Sequence, residues 1–192
     1  MISMFAALWF SLFAPTIPDI GLTPSGQAPT ITLVQGAIPR SHGRSTMEIV
    51  AYPNSELPGT IIISNADLTL HRILDSRRAE RYSVSAGKSD AIWSGVTYVG
   101  MKREWPGWRP TASMRAKNPG LPEYVPPGPL NPLGARALYL FKDGGDTLYR
   151  IHGTPTADTV GSYETAGCFR LTNSDVMALF GAVDVGTKVI VH

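Results

Sequence analysis

Two residues capable of covalent chemistry stand sixteen positions apart late in the chain: His152, in "YRIHGT", and Cys168, in "TAGCFRL". Cys168 is the only cysteine of the 192 residues, and each of the pair adjoins a glycine, Gly153 or Gly167. A thiol nucleophile requires a base within hydrogen-bond reach, backbone N–H groups directed at a developing oxyanion, and a positive field that favours the thiolate. His152 is the candidate base. The N–H groups around Gly167 and Cys168 are candidate donors, and Gly167 lets the backbone approach a substrate closely. Arg170 and the N-terminus of the helix-like run after it are candidate sources of positive potential. The same residues fit a plainer reading. A lone cysteine is commonly a small buried apolar residue, and a histidine at a strand end is commonly structural. Spacing alone leaves both readings open.

Composition narrows the field. Hydrophobic residues make up 43% and charged residues 17%, a globular balance. The net charge of +2 is too small to argue for nucleic acid, and the densest basic cluster, Arg77, Arg78 and Arg81, reads as a solvated face. One cysteine excludes an internal disulfide. His42, His71, His152 and His192 lack the spacing of metal ligands, so no metal or other cofactor is expected. "KDGGDT" reads as a hairpin turn rather than a phosphate-binding loop.

The elements that must position the pair are mostly strands. Residues 1–45 read as an appendage: an apolar run over 4–14 that breaks at Pro15, then a stretch rich in Pro, Gly, Ser and Thr with one short strand in "APTITLVQGAIPR". The run is short for a spanning helix and lacks a basic n-region, which suits a degenerate export signal or short anchor. A buried element of the domain is the alternative. The body, 46–192, starts with a hairpin, "GTIIIS" and the run after Asp67. "AERYSVSAGK" is a further strand ending at a turn on Gly87, and "SGVTYVGMKREW" alternates again. Residues 105–132 hold two Trp and eight Pro with little periodicity, a long structured loop. Its Trp105, Trp108 and Tyr124, with Trp93 upstream, are candidates for the wall of a cleft or for core packing. "ARALYLF" and "DTLYRIHG" pair through the turn at 143–145. "SDVMALFGAV" is an amphipathic helix with Val176, Leu179, Phe180 and Val183 on one face, capped by Ser174 or Asn173, and "GTKVIV" closes as a strand. The predicted fold is mostly β, a sandwich- or barrel-like mixed sheet with one or two short helices.

The segment from "YRIHGT" to "GTKVIV" resembles the signature of the L,D-transpeptidase catalytic domain, the YkuD family. That signature is His-Gly, about fifteen residues, then Ser/Thr-x-Gly-Cys, an apolar residue and Arg or Asn. Here these are His152-Gly153, Thr165-Ala166-Gly167-Cys168, Phe169 and Arg170. "PGTIIIS", "WSGVTYVGMKREWPGW" and "NPLGARALYL" resemble the same family in order, so the likeness extends over residues 52–192, about three quarters of the chain. Many members carry His before the Gly-Cys pair and some carry Ser; here Ala166 removes a donor from beside the nucleophile.

The resemblance implies the family's fold and a peptidoglycan acyltransferase. Cys168 attacks the carbonyl between diaminopimelate and the terminal D-Ala of a tetrapeptide stem, His152 moves the proton, and the Gly153 carbonyl orients the imidazole. Gly167, Thr165 and Arg170 are the implied substrate-binding or oxyanion residues, with a structural ion pair as the alternative for Arg170. The thioester passes to another stem peptide, to a lipoprotein lysine or to water. The resemblance also implies a periplasmic or envelope location, a monomer, no cofactor, no nucleic-acid partner, and a thiol that carbapenems acylate. The alternatives are a non-catalytic wall-binding domain, with Ala166 marking a decayed site, and an L,D-carboxypeptidase or general cysteine peptidase.

Overall fold

The computed structural model describes residues 43–192. The apolar run of 4–14 and the strand expected in "APTITLVQGAIPR" lie outside them. Eleven strands occur among the described residues: β1 (Glu48–Ala51), β2 (Ile61–Ser64), β3 (Thr69–Ile73), β4 (Arg78–Ser83), β5 (Ala86–Gly87), β6 (Gly95–Glu104), β7 (Arg136–Lys142), β8 (Gly145–His152), β9 (Tyr163–Thr165), β10 (Phe169–Arg170) and β11 (Lys188–Val191). Two α-helices join them, α1 (Ala112–Lys117) and α2 (Asn173–Ala182).

Nine strands form one sheet in the order β1-β4-β3-β2-β11-β6-β7-β8-β10, and β5 pairs β9 in a second. The sheet is mixed: β11 runs parallel to β2, and β10 parallel to β8. The expected mostly β mixed sheet with short helices is what forms. Period-2 alternation explains how the core is filled. Ile61 and Ile63 enter the main core with Leu70, Leu138, Leu140, Ile151 and Phe169, whereas Ile62, from the same strand, joins a second cluster with Ile73 and Ala79. The turn between β7 and β8 takes left-handed φ at both central residues, Asp143 (+49°) and Gly144 (+78°). That is the turn whose twist suits a two-residue hairpin.

α2 lies on β7 and β8. It buries Val176 and Leu179, with Val183 just beyond its end. Its cap is Thr172, whose side chain accepts from the Asp175 N–H at 3.1 Å, and not Ser174 or Asn173. Both expected caps are engaged elsewhere: Ser174 Oγ donates to Gly43 O, and Asn173 Oδ1 accepts from Ala135 N–H. At the other end, Lys102 Nζ donates to the carbonyls of Phe180 and Val183 and sits over the Phe180 ring. A cation there satisfies carbonyls that the helix leaves unpaired.

In the first turn of α2, the fully buried Asp175 accepts from Ser45 Oγ (2.6 Å), Thr46 Oγ1 (2.8 Å) and the Thr46 N–H (3.1 Å). Residues 45 and 46 are thereby pinned to the helix. The "AERYSVSAGK" run divides: β4 ends at Ser83, and Ala86–Gly87 leaves for the small sheet. Residues 105–132 contain a short helix that the sequence did not suggest, with the Thr111 side chain accepting from the Met114 N–H. A backbone pair between Trp108 and Val125 (2.9 and 2.8 Å) closes the segment on itself.

Candidate active site

Strand register brings the pair together. β8 and β10 align Ile151 with Phe169 and His152 with Arg170. Ile151 and Phe169 point into the core. Alternation then places Arg150 and His152 on the opposite side of β8, and Cys168, one residue before β10, comes level with Arg150. Sixteen residues of sequence are thereby reduced to neighbouring strand positions.

His152 is nearly sealed, at 7% exposure. Its Nδ1 lies 2.6 Å from the Gly153 carbonyl oxygen. A carbonyl only accepts, so Nδ1 carries the proton and Nε2 keeps its lone pair. Burial, and then the charges of Arg170 and Arg150, push the imidazole down to about 4, against the opposing Gly153 hydrogen bond. The imidazole is neutral at pH 7, as a base must be.

The cysteine loop is built by Thr165. Its Oγ1 donates to the Cys168 carbonyl at 2.6 Å and accepts from the Gly167 N–H at 3.1 Å. Gly167 has φ +111°, and a Cβ there would stand 2.6 Å from the Tyr149 ring. Both the conformation and the space call for glycine. Trp93 donates its indole N–H to the Gly167 carbonyl at 2.9 Å and stacks on Tyr149 at 4.5 Å. Trp93 is thus a brace behind the loop.

Cys168 is half-buried, and burial pushes its thiol above the ordinary 9.0. The Arg150 backbone and the Arg150 charge oppose that rise, and Asp146 adds to it. The sulfur's hydrogen bond runs to Leu148 O at 3.9 Å; among the described residues none joins it to the imidazole. Leu148 has φ +64°, a strained conformation for leucine at the edge of the site.

The positive group acting on the sulfur is therefore Arg150, whereas sequence reasoning put forward Arg170 and the helix N-terminus. Arg170 pairs with Glu164 at 3.2 Å and reaches Thr159 O at 3.3 Å, and its buried Nε meets no partner among the described residues. Arg150 is gripped by Asp146 through two bonds, 2.7 and 2.8 Å, and lies over the Tyr139 ring at 4.1 Å. The signal for Arg150 was present in "YRIHG": a residue two before His152 on a strand shares its face.

A cavity of about 460 Å³ opens beside Cys168, walled by Leu148, Arg150, Tyr139, Trp108, Tyr124 and Arg109 among others. Of the aromatics considered from sequence, Trp108 and Tyr124 line this cavity, while Trp93 borders a different one with Tyr163 and His192. Trp105 is 36% exposed and lines neither. Three features make the arrangement suited to acyl transfer: a thiol at an open cavity, a neutral imidazole one strand away, and a loop that fixes the thiol's backbone.

Comparison with known proteins agrees. The family model described as the L,D-transpeptidase catalytic domain, YkuD, matches residues 58–191. The probable L,D-transpeptidase ErfK/SrfK of Escherichia coli K12 is 31% identical over 197 residues, covering 92% of this chain and 62% of that protein. The chain thus spans about three fifths of that relative's length. A crystal structure from Brucella melitensis, described as a probable carnitine operon oxidoreductase caia, is 39% identical with a TM-score of 0.52, covering 76% of this chain and 92% of that one. L,D-transpeptidase 3 from Mycobacterium tuberculosis shares the fold at 16% identity, with a TM-score of 0.52 and coverage of 69% and 60%.

Proposed function

Because this chain belongs to the L,D-transpeptidase catalytic-domain (YkuD) family, we propose that it is a cysteine acyltransferase of the cell envelope acting on peptidoglycan stem peptides. The observation that carries this reading is the β8–β10 register, which sets Cys168 beside the strand of a buried, neutral His152. The thiol turns from Leu148 O toward His152 Nε2 and gives up its proton as sulfur attacks the carbonyl between diaminopimelate and D-Ala. The imidazolium then protonates the departing amine, and a thioester is left on Cys168.

Thr165 already occupies the Gly167 N–H, so the Cys168 N–H is the candidate oxyanion donor in this scheme. An amine from a second stem peptide or from a lipoprotein lysine resolves the thioester, restoring the thiol. Water in its place gives a carboxypeptidase.

The test is intact-protein mass spectrometry after mixing with a carbapenem, together with release of D-Ala from a tetrapeptide stem. A stable adduct mapped to Cys168 and lost in Cys168→Ser supports the reading. A folded protein that gives neither adduct nor D-Ala overturns it in favour of a non-catalytic wall-binding domain.

A further inference from the structure

We infer that Arg109 recognises a free carboxylate on the acyl donor, so that the cavity selects a stem peptide whose third residue is ionised rather than amidated. The inference rests on the acyltransferase reading and adds the charge of the substrate to it. Among the described residues, two arginines, Arg109 and Arg150, line the cavity that holds Cys168, and no aspartate or glutamate does. The two are not equivalent. Arg150 has both terminal nitrogens bound to Asp146 and gives a further bond to Tyr149 O at 2.9 Å. Its fork is occupied, and its side chain is 13% exposed.

Arg109 is the opposite case. Among the described residues its ion-pair partner is Glu123 at 4.0 Å, with the two side chains 65% and 91% exposed, too distant and too solvated to hold the guanidinium. Arg109 instead lies over the Tyr124 ring at 4.5 Å, which orients the planar fork without using its donors. Tyr124 in turn stands against Gly107, where a Cβ would meet its ring within 2.6 Å. The backbone pair of Trp108 with Val125 fixes both ends of this arrangement. Five N–H donors are thus presented on a braced loop at the wall of the thiol's cavity, in the geometry that suits bidentate binding of a carboxylate. Arg170, the arginine first considered for a substrate carboxylate, does not line the cavity.

The first experiment needs no peptide substrate. Iodoacetate and iodoacetamide are similar in size and differ in charge. The ratio of their rates of alkylating Cys168 should exceed that for 2-mercaptoethanol. It should fall about fivefold in Arg109→Gln and shrink at high salt, the scale of one partly screened charge. An unchanged ratio in Arg109→Gln overturns the assignment.

The second experiment uses two tetrapeptide donors that differ only in a carboxylate or carboxamide on the third residue. Arg109→Gln should raise KM for the carboxylate donor alone, with partial recovery in Arg109→Lys. An equal effect on both donors, or none on either, also overturns it. If neither peptide acylates the protein, the acyltransferase reading fails, and the alkylation ratio judges Arg109 by itself.

Discussion

The His152 imidazole gives its Nδ1 proton to the carbonyl of the next residue, Gly153, across 2.6 Å. A residue and its immediate neighbour thereby decide the tautomer, and no separate carboxylate is needed to do so. The arrangement carries a cost when acid is added, because a buried imidazole with one bonded nitrogen resists a second proton.

That cost sets the pH dependence of stability. The unfolded chain takes up a proton on this histidine as pH falls through about 6.5, whereas the folded chain holds out to about 4. Folding therefore loses stability across that window, on the order of 3 kcal/mol at its lower end. Urea unfolding midpoints measured from pH 7.5 to 4 should decline. The decline should be shallower in His152→Gln, which has no proton to gain. Parallel curves for the two proteins would contradict the assignment.

Cys168 should behave as a thiol at neutral pH, since burial pushes it above 9.0. Its alkylation by iodoacetamide should still be accelerating at pH 9, without a plateau near 7. Arg150→Gln removes a charge that favours the thiolate, so the profile should move to higher pH. A shift to lower pH would assign the guanidinium a different role.

Thr165 makes two bonds with one hydroxyl, and the loop around the nucleophile depends on both. Thr165→Val keeps the shape and removes the bonds. It should destabilise the protein by about 1–2 kcal/mol and slow carbapenem acylation about tenfold or more. Thr165→Ser should recover most of the rate. Single-turnover mass spectrometry and urea melts measure the two effects separately.

Asp175 holds the segment before β1 through Ser45 and Thr46. Asp175→Ala leaves those donors without an acceptor and should cost about 2–4 kcal/mol. It should also open residues 43–47 to limited proteolysis at protease levels that spare the parent. Asp175→Asn, which retains an acceptor oxygen, should fall between the two.

The parts legible from sequence are those whose information is local. The β-branched run in "TIIIS", the apolar stretch "RALYLF", the Asp-Gly turn and the apolar face of "SDVMALFGAV" each fix an element by its own residues. The caps of α2 were not legible, because Thr172, Asn173 and Ser174 are all good caps, and distant groups decided among them: Gly43 and Ala135 claimed two of the three. The helix α1 was hidden by the prolines around it. Its one and a half turns owe their place to Thr111 and to the Trp108–Val125 pairing, a contact seventeen residues apart. The site followed the same division. His152 and Cys168 were marked by residue type, and the family motif placed them together. The face of Arg150 was readable two residues before His152, but its grip on Asp146 was not, and nothing in the sequence marked Arg109, whose place on the cavity wall is settled by tertiary structure.

β10 is a two-residue strand at the margin of the large sheet, but its outer side is not bare. Ser85 exchanges both backbone bonds with Arg170, at 2.8 and 3.0 Å, and so ties the margin to the segment that leads into β5. Among the described residues no unpaired ladder is offered at Arg170, and this margin leaves no room for an added strand. Selectivity at the cavity can therefore drift by exchanging a few of its side chains while the short strand that follows the sulfur stays as it is.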